Sequence, residues 1–126
     1  MENFFLASSF DTPEVHFNFE NGWLKLHGRS ISDNPEEFYK PLNEWIDNYS
    51  VQPKTATTIE IKLDYINTSS SKCLLHMLKK LEQISSDKST VLVRWVHREN
   101  DMDIAEAGED YKALIGLSFV FIPVEE

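Results

Sequence analysis

A single cysteine among 126 residues, Cys73, rules out an intrachain disulfide and any metal cluster built on several thiolates. Its place among apolar helical positions predicts a packed, unreactive thiol. Basic charge is also scarce. Twelve Lys and Arg face 21 Asp and Glu, and the net charge of -9 repels a polyphosphate backbone at long range. With no basic stripe and no interleaving of basic and aromatic residues, nucleic acid is not an expected partner. No stretch approaches the roughly 18 apolar residues of a membrane span. The opening MENFFLASSF lacks the basic start and continuous apolar run of a secretory signal, so the expectation is a cytoplasmic protein with no direct membrane insertion.

Signatures of catalysis are missing as well. There is no G-x-x-x-x-G-K-[ST] phosphate loop, no G-x-S-x-G nucleophile elbow and no H-E-x-x-H metal motif. His16, His27, His76 and His97 are dispersed along the chain. The expectation is therefore a protein that is not an enzyme and holds no metal or cofactor of its own.

What is present is the alternation of one α/β domain, residues 1–126. VHFNF at 15–19 and WLKLHG at 23–28 read as a hairpin, with Asn21-Gly22 as a tight turn needing positive φ at its central residues. Phe4, Phe5 and Leu6 form either an edge strand or a cover at one end of the core. Asn34 and Pro35 open a helix whose apolar face carries Phe38, Leu42, Trp45, Ile46 and Tyr49. Pro41 predicts a kink in that helix or a late start. TTIEIKLDYI at 57–66 alternates, with Ile59, Ile61, Leu63 and Tyr65 on one face and Glu60, Lys62 and Asp64 on the other.

Cys73, Leu74, Met77, Leu78, Leu81 and Ile84 mark a second helix ending near Ser85-Ser86, and a polar Asp87-Lys88-Ser89 turn follows it. TVLVRWV at 90–96 reads as an interior strand. A third helix, capped by Asp101 or Asp103, presents Ile104, Ala107, Tyr111, Leu114 and Ile115 to the core and stops at Gly116. LSFVFIPV at 117–124 is the last strand, before an acidic tail. The predicted fold is thus a mixed β-sheet with about three packed helices, joined by right-handed β-α-β crossovers. An acidic concentration at Glu99, Asp101, Asp103, Glu106, Glu109 and Asp110 reads as solvent-facing charge or as steering toward a basic partner.

One segment carries chemistry: DYINTSSSK at 64–72, where a strand runs into a helix start with several hydroxyls beside unpaired backbone N–H groups. Asn67, Thr68 or Ser69 can each be the N-cap, a role worth about 0.5–2 kcal/mol. The functional alternative is a phosphate-accepting hydroxyl. Phosphorylation adds about -1.5 to -2 charges, which a helix N-terminus stabilises, and it changes the surface offered to a partner. The run of four hydroxyls does not itself identify the modified one.

Tyr65-Ile66-Asn67-Thr68-Ser69-Ser70, followed by Lys72, Leu74 and Leu75, resembles the SiaC family of bacterial regulatory phosphoproteins. Gly28-Arg29-Ser30, Asn34-Pro35, Phe38-Tyr39, Pro41-Leu42, Trp45-Ile46 and Trp95 reinforce the resemblance, which spans about residues 10–122. It implies a fold like that of the anti-sigma-factor antagonists (STAS-like) and phosphorylation at Thr68. The implied partners are a histidine-kinase-like ATPase acting as threonine kinase, a metal-dependent serine/threonine phosphatase, and a diguanylate cyclase activated by the unphosphorylated form. ATP and the phosphatase metal then belong to partners. Asn67, Ser69 and Ser70 become supports of the phosphosite and Lys72 its electrostatic neighbour. Asp64 either orients the loop or marks the polar face of its strand. Ser71 stands where the family more often has an apolar residue, and it adds a competing hydroxyl. The alternative to this reading is a passive interaction module without phosphate control.

Overall fold

The computed structural model describes residues 1–85 and 88–125. Six strands lie side by side in chain order: β1 (Phe4–Leu6), β2 (Glu14–Asn18), β3 (Trp23–Ser30), β4 (Ala56–Ile66), β5 (Thr90–Arg98) and β6 (Ser118–Val124). Pairing is antiparallel from β1 to β3 and parallel from β3 to β6. Helices α1 (Pro35–Tyr49), α2 (Thr68–Gln83) and α3 (Met102–Leu114) form the three crossovers. This is the mixed α/β sheet with three helices that the alternation predicts. Phe4–Leu6 is an edge strand, which settles the choice left open for that segment. The expected helix end at Ser86, the Asp87 of the following turn and Glu126 of the tail lie outside the described residues.

Alternation along each strand decides which side is buried. Val15, Phe17, Leu24, Leu26, Ile59, Ile61, Val93 and Trp95 point to the helices and are fully buried. Each crossover advances one strand in the same direction, so the helices share this face. Trp45 of α1 packs on Phe17, with ring centroids 5.2 Å apart, and Tyr111 of α3 packs on Trp95 at 5.5 Å. The opposite face is bare of helices. There His27 Nε2 lies 2.8 Å and Arg94 Nε 3.0 Å from the two oxygens of Glu60.

Burial alone pushes the Glu60 carboxyl up, but hydrogen bonds and charge from Arg94 and His27 outweigh it and hold the group below its ordinary 4.5. A depressed carboxylate contributes stability above its unfolded pKa and loses it as pH falls through the folded one. Thermal melts should therefore show the wild type losing stability between about pH 5 and pH 3 more steeply than Glu60→Gln, the two curves converging in acid. A gap that stays constant from neutral to acid pH would refute the assignment.

Local differences from the sequence reading have physical causes. The β2–β3 connection is a loop over residues 19–22 in which Asn18 Oδ1 accepts from the Glu20 and Asn21 amides; only Gly22 has positive φ (+71°), so no two-residue Asn-Gly turn forms. Helix α1 starts at Pro35 and continues through Pro41 without a late start. Asn34 occupies its N-cap position without a side-chain cap bond and gives its amide to Glu37 Oε2 instead. Tyr39, absent from the expected core, is fully buried because Ser30 Oγ partners its hydroxyl at 2.9 Å; Phe38 is half-buried. Leu114, expected in the core, is 63% exposed. Helix α3 ends where Ile115 turns extended and buries itself, one residue before Gly116.

Candidate functional site

Parallel strands β3 and β4 end side by side at Ser30 and Ile66, and the start of α2 sits on this carboxyl edge. Their register shifts by one residue after Gly28, whose φ is +131°: Gly28 pairs with Leu63, but Arg29 pairs with Tyr65. Asp64 is the extra residue of this bulge. The consequence is a reversal of side-chain direction. Tyr65, expected beside Leu63 in the core, is 61% exposed three residues before Thr68. Asp64 forms an ion pair with Arg98 of β5, Oδ1 to Nη2 3.3 Å, so it ties β4 to β5.

Asn67 organises the helix start. Its Oδ1 accepts from Ser70 N at 2.8 Å, which makes it the N-cap of α2 and removes Thr68 and Ser69 from that role. Its Nδ2 donates to Ser32 O at 3.0 Å and its own amide to Ser30 O at 3.1 Å, fastening the β3–α1 loop against the site. Its carbonyl accepts from Ser71 N at 2.9 Å. The amides of Thr68 and Ser69 remain without an intrahelical acceptor, as the geometry of a first turn requires. The first turn of α2 carries no acidic residue.

The four hydroxyls fall into three environments. Thr68 and Ser69 are exposed. Ser70 is fully buried, and its Oγ has no hydrogen-bond partner among the described residues. Ser71 is half-buried, with Oγ 2.7 Å from Tyr111 Oη of α3. Lys72 is exposed beside them and lines a cleft between α1 and α2 together with Ser69, Cys73, His76 and Lys80. The half-buried Cys73 thiol is pushed up, first by burial and then by the charge of Glu36. Of the residues singled out from sequence, Asn67, Thr68, Ser69, Ser70 and Lys72 thus share one helix start, whereas Asp64 faces Arg98. Two members of the site have no local signal in the sequence: Tyr111 reads as a core residue and contributes through its hydroxyl, and Ser30 contributes through its backbone carbonyl, which accepts from Asn67 N.

Among the described residues, no three His, Cys, Asp or Glu side chains converge as metal ligands, and no helix is long and apolar enough to cross a membrane. A hydroxyl at a helix N-terminus needs neither a metal nor a general base of its own to accept a phosphoryl group from another enzyme.

Comparison with known proteins agrees with this architecture. The chain is 23% identical over 112 residues to an uncharacterized protein of Pseudomonas aeruginosa strain UCBPP-PA14, covering 89% of each. The structure of apo-SiaC from Pseudomonas aeruginosa superposes with a TM-score of 0.85 at 21% identity, over 97% of this chain and 99% of that one. SiaC in complex with the diguanylate cyclase SiaD, whose activator it is, superposes with a TM-score of 0.88 at 21% identity, over 96% and 99%. The model of the SiaC family regulatory phosphoproteins matches residues 6–124, and the chain described here belongs to that family.

Proposed function

We propose that this chain is a non-enzymatic signalling regulator, a single domain over residues 1–126, whose contacts with partner proteins are switched by reversible phosphorylation of Thr68. The observation that carries this reading is the position of Thr68: exposed, first in α2, and relieved of capping by Asn67. A phosphate there meets the free amides of the first turn and the positive end of the helix dipole, so modification is compatible with the fold. Ser69 and Lys72 flank it on the surface, Asn67 and Ser70 set the turn beneath it, and Asp64 steadies the end of β4.

The output is a changed surface. Unmodified, the helix start offers the uncharged hydroxyls of Thr68 and Ser69 beside Lys72; modified, the same start carries about two negative charges on a chain already at -9. A partner that fits the unmodified helix start loses complementarity on modification. The Pseudomonas aeruginosa complex supports a diguanylate cyclase as that partner and activation as its effect. The switch is operated by a histidine-kinase-like ATPase acting as threonine kinase and by a metal-dependent serine/threonine phosphatase. The chain acts in the cytoplasm.

Incubation with the cognate kinase and ATP, followed by intact-mass and site-mapping analysis, should add one phosphoryl group to Thr68 and none to Thr68→Ala. Cyclase activation should be lost on phosphorylation and retained by Thr68→Ala. Unchanged modification of Thr68→Ala would reject the site, and equal partner binding in both states would leave a passive interaction module.

A further inference from the structure

Thr68 and Ser71 are three residues apart in α2, so their side chains lie on neighbouring parts of one helix face, a turn apart. Ser70 is sealed in the core. Ser71 is therefore the hydroxyl that a kinase docked over Thr68 meets one turn further along.

The fold holds that hydroxyl. Tyr111 Oη donates to the Ser71 carbonyl at 3.0 Å and lies 2.7 Å from Ser71 Oγ. A phenol has one proton; with that proton on the carbonyl, Ser71 must donate its own to Tyr111 Oη. Tyr111 in turn has little freedom to leave. It is 4% exposed, and its ring packs on Trp95, whose Nε1 donates to Ile104 O at 2.8 Å. Burial first, then the charge of Asp110, pushes the phenol up despite the hydrogen bond from Ser71, so Tyr111 stays a neutral donor.

We propose that Tyr111 is a positioning residue for acceptor specificity: by clasping Ser71 through two hydrogen bonds, it keeps that hydroxyl from competing with the exposed Thr68 for the phosphoryl group. The inference rests on the reading of Thr68 as the acceptor. In the transfer, the hydroxyl oxygen bonds to the γ-phosphorus of ATP, the bond from that phosphorus to the β,γ-bridging oxygen breaks, ADP leaves, and the hydroxyl proton passes to a base of the kinase. Among the described residues, none hydrogen-bonds to the Thr68 side chain, so no such bond must first be broken. Ser71 Oγ must break its bond to Tyr111 and turn away from the ring before it can enter the same geometry.

The test is phosphosite mapping with the cognate kinase and ATP on wild type, Tyr111→Phe, Tyr111→Phe with Ser71→Ala, and Ile104→Val. Tyr111→Phe keeps the ring and removes the clasp; Ile104→Val loosens α3 with the clasp in place. Phosphorylation of Ser71 is expected to rise about tenfold in Tyr111→Phe, the size set by one hydrogen bond. It should vanish in the double variant and stay at the wild-type level in Ile104→Val. Modification confined to Thr68 in Tyr111→Phe would overturn the inference, as would equal Ser71 modification in Ile104→Val, because loosened packing would then suffice. Wild type left unmodified at Thr68 by an active kinase would overturn both the acceptor reading and the clasp built on it.

Discussion

Gly108→Ala is expected to lower the melting temperature by about 5–10 °C, although the substitution improves helix propensity by roughly 1 kcal/mol. Gly108 lies buried in α3 against Trp95. A Cβ built on it would stand 2.5 Å from both Cδ1 and Nε1 of the indole and 2.8 Å from Cε1 of Phe121. These atoms belong to large rings, the indole fully buried and the Phe121 ring half-buried against the core, so the contact is not relieved by swinging the end of a flexible chain. The indole has little room to yield, because its Nε1 donates to the Ile104 carbonyl of the same helix and Tyr111 packs on its face. Either the helix moves off the sheet or that buried hydrogen bond stretches. Overpacking of this kind costs about 1–3 kcal/mol and a weakened hydrogen bond about 1 kcal/mol more, together exceeding the propensity gain. Thermal denaturation of the purified variant decides the matter, and a melting temperature at or above that of the wild type would show that propensity wins.

The same glycine shows how far the sequence could be read. As a residue in a helix it registers as a weakness; only the crossing of α3 over β5 makes it a requirement. Alternation predicted β4 correctly as far as Leu63 and failed at Tyr65, because the bulge at Asp64 depends on the partner strand and its Gly28, which local periodicity does not contain. Spacing in α1 favours Phe38 over its neighbour Tyr39, and only the fold turns Tyr39 inward, where Ser30 partners its hydroxyl. Spacing places Leu114 and Ile115 both in the core, yet α3 turns Leu114 outward, and Ile115 is buried only because it leaves the helix in an extended conformation. The elements themselves were legible because each carries a clear period and its own stop signal.

The proposed phosphosite is legible to a different depth. Strand-to-helix position and four hydroxyls mark a candidate segment, and the family resemblance implies Thr68 within it. The ranking of hydroxyls by access needed the fold, since Ser70 is hidden by the direction of α2 and Ser71 by a tyrosine 40 residues away. The N-cap was ambiguous among three polar residues for a related reason. Asn, Thr and Ser all cap well, and what selects Asn67 is a second bond, from its amide to Ser32 O in a loop 35 residues earlier.

That double role makes Asn67 the residue whose loss should most disturb the site. Asn67→Ala removes the cap on Ser70 N, about 0.5–2 kcal/mol, and the bond to Ser32 O, about 0.5–1.5 kcal/mol, while the backbone bonds to Ser30 O and from Ser71 N persist. A total near 2 kcal/mol corresponds to a melting temperature lower by about 5–10 °C. Asn67→Ser separates the two contributions: serine caps nearly as well as asparagine but has no amide to reach Ser32, so its stability should fall between those of wild type and Asn67→Ala. Amide exchange at Ser70 and Ser71 should quicken in the alanine variant and stay slow in the serine one. Phosphorylation should follow the turn, slowing in Asn67→Ala because the kinase meets a frayed helix start in place of a fixed Thr68. Equal stability of wild type and Asn67→Ala would mean that another group takes over the cap, and Asn67 would then lose its place as the organiser of the switch.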